Sequence, residues 1–127
     1  MGREMRAIID SDVLIDYLLG EARARREIDL YEAREISVVS WMEVMAGAST
    51  PAEEAQCLQF LGTCKVHAVN NDVAREAVAL RKLHRVKLPD AIVWATARVE
   101  KCLLVTRNTR DFPAKDPGVR FPYRLSS

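Results

Sequence analysis

Short aliphatic stretches alternate with longer charged or amphipathic segments along the whole chain. Four of these stretches predict short strands, at residues 7–9, 36–39, 65–69 and 102–106. The tail at residues 118–125, GVRFPYRL, predicts a short edge strand, because Pro122 has no N–H to donate to a neighbouring strand. The segments between the strands show helical spacing.

Capping residues, prolines and glycines delimit the predicted helices. We predict helices at residues 13–19 ending at Gly20, at 23–34, from Ser40, from Thr50 and Pro51 to Gly62, at 72–85 after Asn71, and from Leu88, Pro89 and Asp90 onward. Strands that alternate with helices in this way predict an α/β protein, with a parallel sheet covered by helices on both faces. The chain has no repeat and no long linker, so we expect a single domain over residues 1–127.

The composition narrows the possible functions only slightly. The chain has 127 residues, of which 49% are hydrophobic and 29% charged, as in an ordinary globular domain. Its net charge is +1, so binding to nucleic acid would need a local basic patch. No segment of the sequence approaches the roughly 20 apolar residues that span a bilayer, and none resembles a signal peptide. We therefore expect a cytoplasmic protein without membrane contact.

Polar oxygen-bearing side chains stand where the predicted strands end or a helix begins. They are Asp10 and Asp12 after the first strand, Glu43 after the second, Asp90 at a helix start, and Asn108 and Asp111 after the fourth strand. In open parallel sheets, ligands bind beyond the carboxyl ends of the strands, which would bring these side chains together. Clustered carboxylates raise one another's pKa unless a cation lies among them, and a site with oxygen ligands alone suits Mg²⁺ or Mn²⁺. The sequence thus indicates metal-assisted hydrolysis or transfer at phosphate.

Most of these residues also have a purely structural explanation. Ser40 and Glu43 have the spacing of a capping box, and Asp90 would suit the first turn of a helix. Asp12 could cap the first helix, and Asp16 would lie on the solvated face of that helix. Asn108 could cap the turn that follows the fourth strand. Asp10 is the hardest to explain in this way, because it continues an apolar strand.

Four segments together resemble one known family. IIDSDVLIDYL, SVVSWMEVMAG, LPDAIVWATA and LLVTRNTRDF, in this order, are similar to the motifs of PIN-domain ribonucleases, and especially of the VapC toxins of toxin–antitoxin pairs. The resemblance covers nearly the whole chain. It implies a three-layer α/β/α sandwich with a mainly parallel sheet, and Mg²⁺- or Mn²⁺-dependent endoribonuclease activity. It also implies a homodimer that is inhibited by a VapB-type antitoxin.

The resemblance assigns roles to particular residues. The acidic core of the family falls on Asp10, Glu43 and Asp90. The fourth acidic position falls on Asn108, which brings no negative charge, and Asp111 could supply the missing carboxylate. Two further residues follow from the same motifs: Asp12, where members usually carry Asn or Ser, as an auxiliary metal ligand, and Thr106 as a supporting hydroxyl at the strand end.

Basic and aromatic side chains near these motifs are candidates for contact with RNA. The basic ones are Arg81, Arg85 and Lys87 before Asp90, and Arg107 and Arg110 on either side of Asn108. Their structural alternative is a solvated helix face. Trp41 and Trp94 could stack on bases, but both lie within apolar helical runs, which favours packing in the core or in a dimer.

Two other functions stay open at this point. IIDSDVLI also matches the first motif of haloacid dehalogenase-like phosphatases, in which Asp10 would be the nucleophile and Asp12 the general acid. The chain lacks the later acidic pair and lysine of that group. The other alternative is a PIN-like scaffold with a decayed acidic site that only binds RNA or a protein, which the amide at Asn108 suggests.

Overall fold

The computed structural model describes residues 5–125, so residues 1–4 and 126–127 of the predicted domain lie outside the described residues. Within this range five strands alternate with six helices. In chain order they are β1 Ala7–Ile9, α1 Ser11–Leu18, α2 Ala22–Ile28, β2 Glu35–Ser37, α3 Val38–Ala46, α4 Pro51–Leu61, β3 Lys65–His67, α5 Asn71–His84, α6 Leu88–Val99, β4 Leu103–Val105 and β5 Val119–Arg120.

All strand pairs of the sheet are parallel, and the order across the sheet is β3-β2-β1-β4-β5. The chain builds outward from β1 to β3, then crosses back and places β4 and β5 on the other side of β1. The strand order therefore reverses between β1 and β4, where the register pairs Ile9 with Val105. A crevice forms beyond the carboxyl ends of the strands at such a reversal. The predicted parallel sheet is confirmed, with β5 at its edge.

Helices cover both faces of the sheet. Alternate residues of β1 enter different apolar clusters, since Ala7 and Ile9 belong to one and Ile8 to the other. Helices α1, α2 and α4 pack on the first face, and α5 and α6 pack on the second. Helix α3 contributes Val44 to the first cluster and Val39 to the second. The predicted three-layer α/β/α sandwich is thus confirmed.

Several element boundaries differ from the sequence prediction. β2 ends at Ser37 and not at residue 39, because the Ser37 hydroxyl accepts a hydrogen bond from the Val39 N–H at 3.1 Å and starts α3. Likewise, Asn70 caps α5 by accepting from the Val73 N–H at 2.9 Å, so this helix includes Asn71. Other differences are that α1 begins at Ser11, that α2 ends at Ile28, and that β3, β4 and β5 are shorter than predicted, at Lys65–His67, Leu103–Val105 and Val119–Arg120. Side-chain caps by Asp10, Ser37 and Asn70 set the starts of α1, α3 and α5, which spacing alone does not reveal.

Trp94 lies in the core, as its apolar surroundings in the sequence favour. It is 1% exposed and packs edge-on against Phe112, with ring centroids 5.7 Å apart. The exposed His84 covers it from α5 at 4.8 Å. No helix within residues 5–125 is long and apolar enough to cross a membrane.

We expect Trp94→Ala to lower the free energy of unfolding by about 3–5 kcal/mol, because it empties a large volume in a packed core. Leu83→Ala on α5 is the control, since Leu83 is 76% exposed and its truncation should change stability by less than about 0.5 kcal/mol. Urea denaturation measures both. Equal effects of the two substitutions would contradict the assignment of Trp94 to the core.

Candidate functional site

Asp10 occupies the end of β1 and is the N-cap residue of α1. It is 5% exposed, its Oδ1 accepts from the Ser11 N–H at 2.8 Å, and its Oδ2 accepts from the Thr106 hydroxyl at 2.7 Å. Burial, together with the charge of Asp12, raises the pKa of Asp10 to about 8 from its ordinary value of 3.8. The fold therefore places a carboxyl group where ionisation is costly.

Asp12 lies in the first turn of α1, and it accepts from the backbone N–H of Arg107 at 3.1 Å and 3.3 Å. Burial raises the pKa of Asp12. The structural alternative in which Asp12 caps α1 is wrong, because Asp10 takes that position. Asp12 instead connects α1 to the segment that follows β4.

Glu43 and Asp90 approach the same crevice from two other helices. Glu43 is exposed on α3, and its Oε1 accepts from the Ser11 hydroxyl at 2.9 Å. Asp90 lies half-buried in the first turn of α6. Burial raises the pKa of Asp90, and the charges of Asp111 and Glu43 raise it further. Carboxylates from four segments of the chain thus interact electrostatically at the crevice where the strand order reverses, which we call the switch point.

Ser40 and Glu43 do not form a capping box. Helix α3 begins at Val38, so Ser40 lies inside the helix, fully buried, and its hydroxyl has no hydrogen-bond partner among residues 5–125. That structural interpretation of Glu43 is wrong, and its carboxylate is left to face Ser11 and Asp90.

Asn108 caps the turn after β4, as its structural interpretation predicts. Its Oδ1 accepts from the Asp111 N–H at 3.2 Å, and its Nδ2 donates to Asp111 Oδ2 at 2.9 Å. The Asn108 N–H also donates to the Thr106 hydroxyl at 3.1 Å. Because Asp111 raises the pKa of Asp90, its carboxylate lies beside the acidic group that the sequence analysis assembled.

The absence of cationic partners distinguishes this acidic group from the other buried carboxylates. Asp16, Glu27 and Glu35 each pair with an arginine, at N–O distances of 2.6, 2.6 and 2.7 Å respectively. Within residues 5–125, no Lys, Arg or His side chain lies within 4.0 Å of the carboxylates of Asp10, Asp12, Glu43, Asp90 or Asp111. A group of oxygen donors whose carboxylates form no ion pair fits a hard divalent cation such as Mg²⁺ or Mn²⁺.

Asp16 is a residue that the sequence analysis placed wrongly. It was expected on the solvated face of α1, but it is 5% exposed. It accepts from Arg107 Nε at 2.6 Å, from Arg107 Nη2 at 3.0 Å and from the Tyr123 hydroxyl at 2.6 Å. The helical spacing held a signal for this, since Asp16 follows the buried Val13 by three positions.

The basic residues proposed to contact RNA differ in their exposure and in whether their side chains already donate hydrogen bonds to the protein. Arg85, Lys87 and Arg110 are exposed, and the charge of Lys87 lowers the pKa of Asp90. Arg81 donates to the Val86 carbonyl at 2.7 Å. An open cavity of about 310 Å³ adjoins the acidic group and is lined by Asp12, Arg107, Asn108, Thr109 and Arg110.

A second group of potential ligands has a different character. Atoms of Glu35, His67 and Glu100 lie within 4.8 Å of one another. Arg6, however, donates to both Glu35 oxygens, at 2.7 Å and 2.9 Å, and to Glu100 at 3.0 Å. Arg6 lowers the pKa of Glu35 to about 2. This group is a compensated ion-pair network, whereas the group around Asp10 is not.

Comparison with known proteins agrees with this geometry. The PIN domain family matches residues 7–116. Over 116 residues the chain is 35% identical to Ribonuclease VapC10 of Mycobacterium tuberculosis, which covers 84% of this chain and 85% of that protein.

Solved structures show the same fold. A toxin–antitoxin complex from Klebsiella pneumoniae contains a chain with 39% identity and a TM-score of 0.88, covering 94% of this chain and 100% of that one. DNA-bound VapBC from Salmonella typhimurium, with 23% identity, a TM-score of 0.73 and coverage of 91% and 96%, supports the fold alone. Because the family match covers most of the chain and the chain is 35% identical to VapC10, the chain belongs to the PIN-domain family.

Proposed function

We propose that this protein is an endoribonuclease of the VapC type that hydrolyses RNA phosphodiester bonds with the help of Mg²⁺ or Mn²⁺. The observation that carries the proposal is the group of carboxylates without a cationic partner at the switch point of a PIN fold. The ribonuclease name of VapC10, at 35% identity, supports RNA as the substrate.

The proposed metal ligands are Asp10, Glu43 and Asp90, with Asp12 as an auxiliary ligand. Thr106 orients Asp10 through its 2.7 Å hydrogen bond to Oδ2. A divalent ion bound there would supply Lewis-acid stabilisation of phosphate charge and a water of lowered pKa.

The catalytic assignment extends to the turn after β4. Asn108 stands where relatives often carry an acid, and both polar atoms of its side chain, Nδ2 and Oδ1, form hydrogen bonds with Asp111. Asp111 therefore supplies negative charge near Asp90, while Asn108 fixes the turn that presents it. Asp111, or alternatively Asp12, replaces the charge that an acid at position 108 would bring.

RNA would be held by the basic residues at the rim of the crevice. Lys87 acts on Asp90, Arg110 lines the cavity beside Asp12, and the exposed Arg85 lies two residues before Lys87, so these three can meet phosphates on either side of the scissile bond. Arg81 and Arg107 are weaker candidates, because their guanidinium groups already donate to protein oxygens.

We further propose that the protein is a cytoplasmic toxin, that it forms a homodimer, and that a VapB-type antitoxin neutralises it. Its support is the similarity to a chain of the Klebsiella pneumoniae toxin–antitoxin complex. The acidic group favours the same partner, since an antitoxin arginine that entered it would meet several carboxylates lacking their own cation.

We expect the purified protein, free of antitoxin, to cut structured RNA internally when Mg²⁺ or Mn²⁺ is present and to stop when EDTA is added. Asp10→Asn and Asp90→Asn should each lower the cleavage rate by at least about 100-fold, because each removes a charged ligand. Gel analysis of end-labelled RNA measures the cuts.

Asp72→Asn is the matched control for Asp90→Asn. Both aspartates lie in the first turn of a helix, but Asp72 is exposed on α5 and should leave the rate unchanged. Equal losses in the two variants would contradict the proposed role of Asp90. Absence of cleavage with release of phosphate from small phosphoesters would favour the phosphatase, and absence of Mg²⁺ binding at millimolar concentration would favour the decayed scaffold.

The raised pKa of Asp10 predicts a pH-dependent stability in metal-free protein. The folded state holds the proton of Asp10 up to about pH 8, whereas the unfolded chain releases it near the ordinary pKa of 3.8. The contribution of Asp10 to stability is therefore present at acidic pH and is lost as the pH rises through this window. Thermal melts across the window should show a steeper decline for the wild type than for Asp10→Asn.

Mg²⁺ should reverse this decline in the wild type, because the bound cation favours the ionised carboxylate. Asp72→Asn should behave as the wild type does. A metal-free protein whose melting temperature follows pH identically with and without the Asp10 substitution would contradict the predicted protonation.

A further inference from the structure

A buried network links the C-terminal segment to the acidic site. Asp16 accepts from both Nε and Nη2 of Arg107, at 2.6 Å and 3.0 Å, and from the Tyr123 hydroxyl at 2.6 Å. The Asp16 side chain is 7% exposed and the Arg107 side chain 30%. Tyr123 follows β5, so donors from two distant segments converge on one carboxylate of α1.

Arg107 joins this network to the site through its backbone. While its guanidinium is held by Asp16, its N–H donates to Asp12 at 3.1 Å. The residues on either side complete the connection. The Thr106 hydroxyl donates to Asp10 at 2.7 Å, and the Asn108 N–H donates to the Thr106 hydroxyl at 3.1 Å. Any displacement of residue 107 would therefore move the donors that orient Asp10 and Asp12.

Resting on the proposed function, we propose that Asp16 and Tyr123 are positioning residues, which anchor Arg107 so that the 106–108 turn holds Asp10 and Asp12 in the orientation that binds the metal. In this proposal Arg107 has a structural role: it connects the Asp16–Tyr123 contact to the 106–108 turn and does not contact RNA.

The chemistry of the network suits this role. The planar guanidinium of Arg107 meets the Asp16 carboxylate with two donors, an arrangement that fixes direction as well as distance. When both are ionised, Asp10 and Asp12 repel each other, and the donors of the 106–108 turn hold their carboxylates in place. Contacts that orient metal ligands typically change metal affinity about 10- to 100-fold when they are removed.

The chain contains a matched control network. Glu27 accepts from Arg120 Nε at 2.6 Å, from Arg120 Nη2 at 2.9 Å and from the Tyr31 hydroxyl at 2.6 Å. Its side chain is 5% exposed, comparable with that of Asp16. In the described part of the chain, the side chains of this second network make no hydrogen bond to the acidic site. Both networks are thus the same kind of buried carboxylate–arginine–tyrosine group. Arg120 meets the site only through strand pairing, since its carbonyl accepts from the Thr106 N–H at 3.1 Å, whereas the Arg107 N–H donates directly to the carboxylate of Asp12.

The test titrates the full chain with Mn²⁺ by calorimetry, without RNA, and compares Asp16→Asn and Tyr123→Phe with the controls Glu27→Gln and Tyr31→Phe. We expect Asp16→Asn to weaken Mn²⁺ binding by about 10- to 100-fold, and Tyr123→Phe to weaken it by a smaller factor. The controls should bind Mn²⁺ as the wild type does, even where they lower the melting temperature. Amide hydrogen exchange at Arg107 should accelerate in Asp16→Asn and Tyr123→Phe but not in the controls.

Cleavage kinetics add a second measurement. Arg107→Lys keeps the charge but loses the two-donor contact, so it should raise the Mg²⁺ concentration for half-maximal rate and leave the KM for RNA unchanged. A raised KM with normal Mn²⁺ affinity would overturn the proposal and assign Arg107 to the substrate.

Other outcomes also overturn it. Wild-type Mn²⁺ affinity in both Asp16→Asn and Tyr123→Phe would do so, as would an equal loss in the Glu27 and Tyr31 controls. If Asp16→Asn does not fold, Tyr123→Phe decides, because it keeps the ring that Arg23 covers at 5.5 Å. A wild type that binds Mn²⁺ but cuts no RNA would overturn the proposed function, and the Mn²⁺ and exchange comparisons would still judge the positioning role.

Discussion

Parallel pairing of β1 with β4 is the constraint on which the candidate site depends. The register sets Ile9 opposite Val105, and the Asp10 N–H donates to the Val105 carbonyl at 2.8 Å. The next residue along each strand is then Asp10 on one side and Thr106 on the other, within hydrogen-bond distance. Because the strand order reverses here, neither neighbouring helix layer fills the space beyond the strand ends. The crevice and its first carboxylate thus arise from a single pairing.

Charge compensation separates the structural acids of this protein from those proposed to be functional. Glu27 and Glu35 are buried with an arginine against them, which offsets the cost of removing a carboxylate from water. Asp10 is equally buried but has only hydrogen-bond donors around it, and a second acid beside it. A fold that keeps such an arrangement tolerates a local loss of stability, which a bound cation would remove. Among the described residues, the arginines that form ion pairs do so with other acids, and the proposed metal ligands have no arginine side chain within 4.0 Å.

Parts of the site were predictable because the motifs lie at strand ends and helix starts. The proximity of Asp10, Glu43 and Asp90 follows from a parallel sheet, once the strand order is known. The position of Asp16 was not predicted, because its burial depends on Tyr123, which is more than a hundred residues away in the chain. Arg107 was assigned to RNA for the same reason, since its charge looks free in the sequence and is paired only in the folded protein.

The sequence by itself determined the alternation of strands and helices, the α/β class and the identity of the acidic residues, because these depend on local spacing and on motifs. Only the tertiary structure decided which charges are compensated. Ser37, and not Ser40, starts α3, which leaves Glu43 outside a capping box. Asp16 holds Arg107, while Asp10 and Asp90 form no ion pair within 4.0 Å in the described part of the chain. Helical spacing from Val13 indicates the burial of Asp16, but the pairing of charges is a property of segments that meet only when the sheet forms, so spacing along the chain carries no record of which charges are compensated.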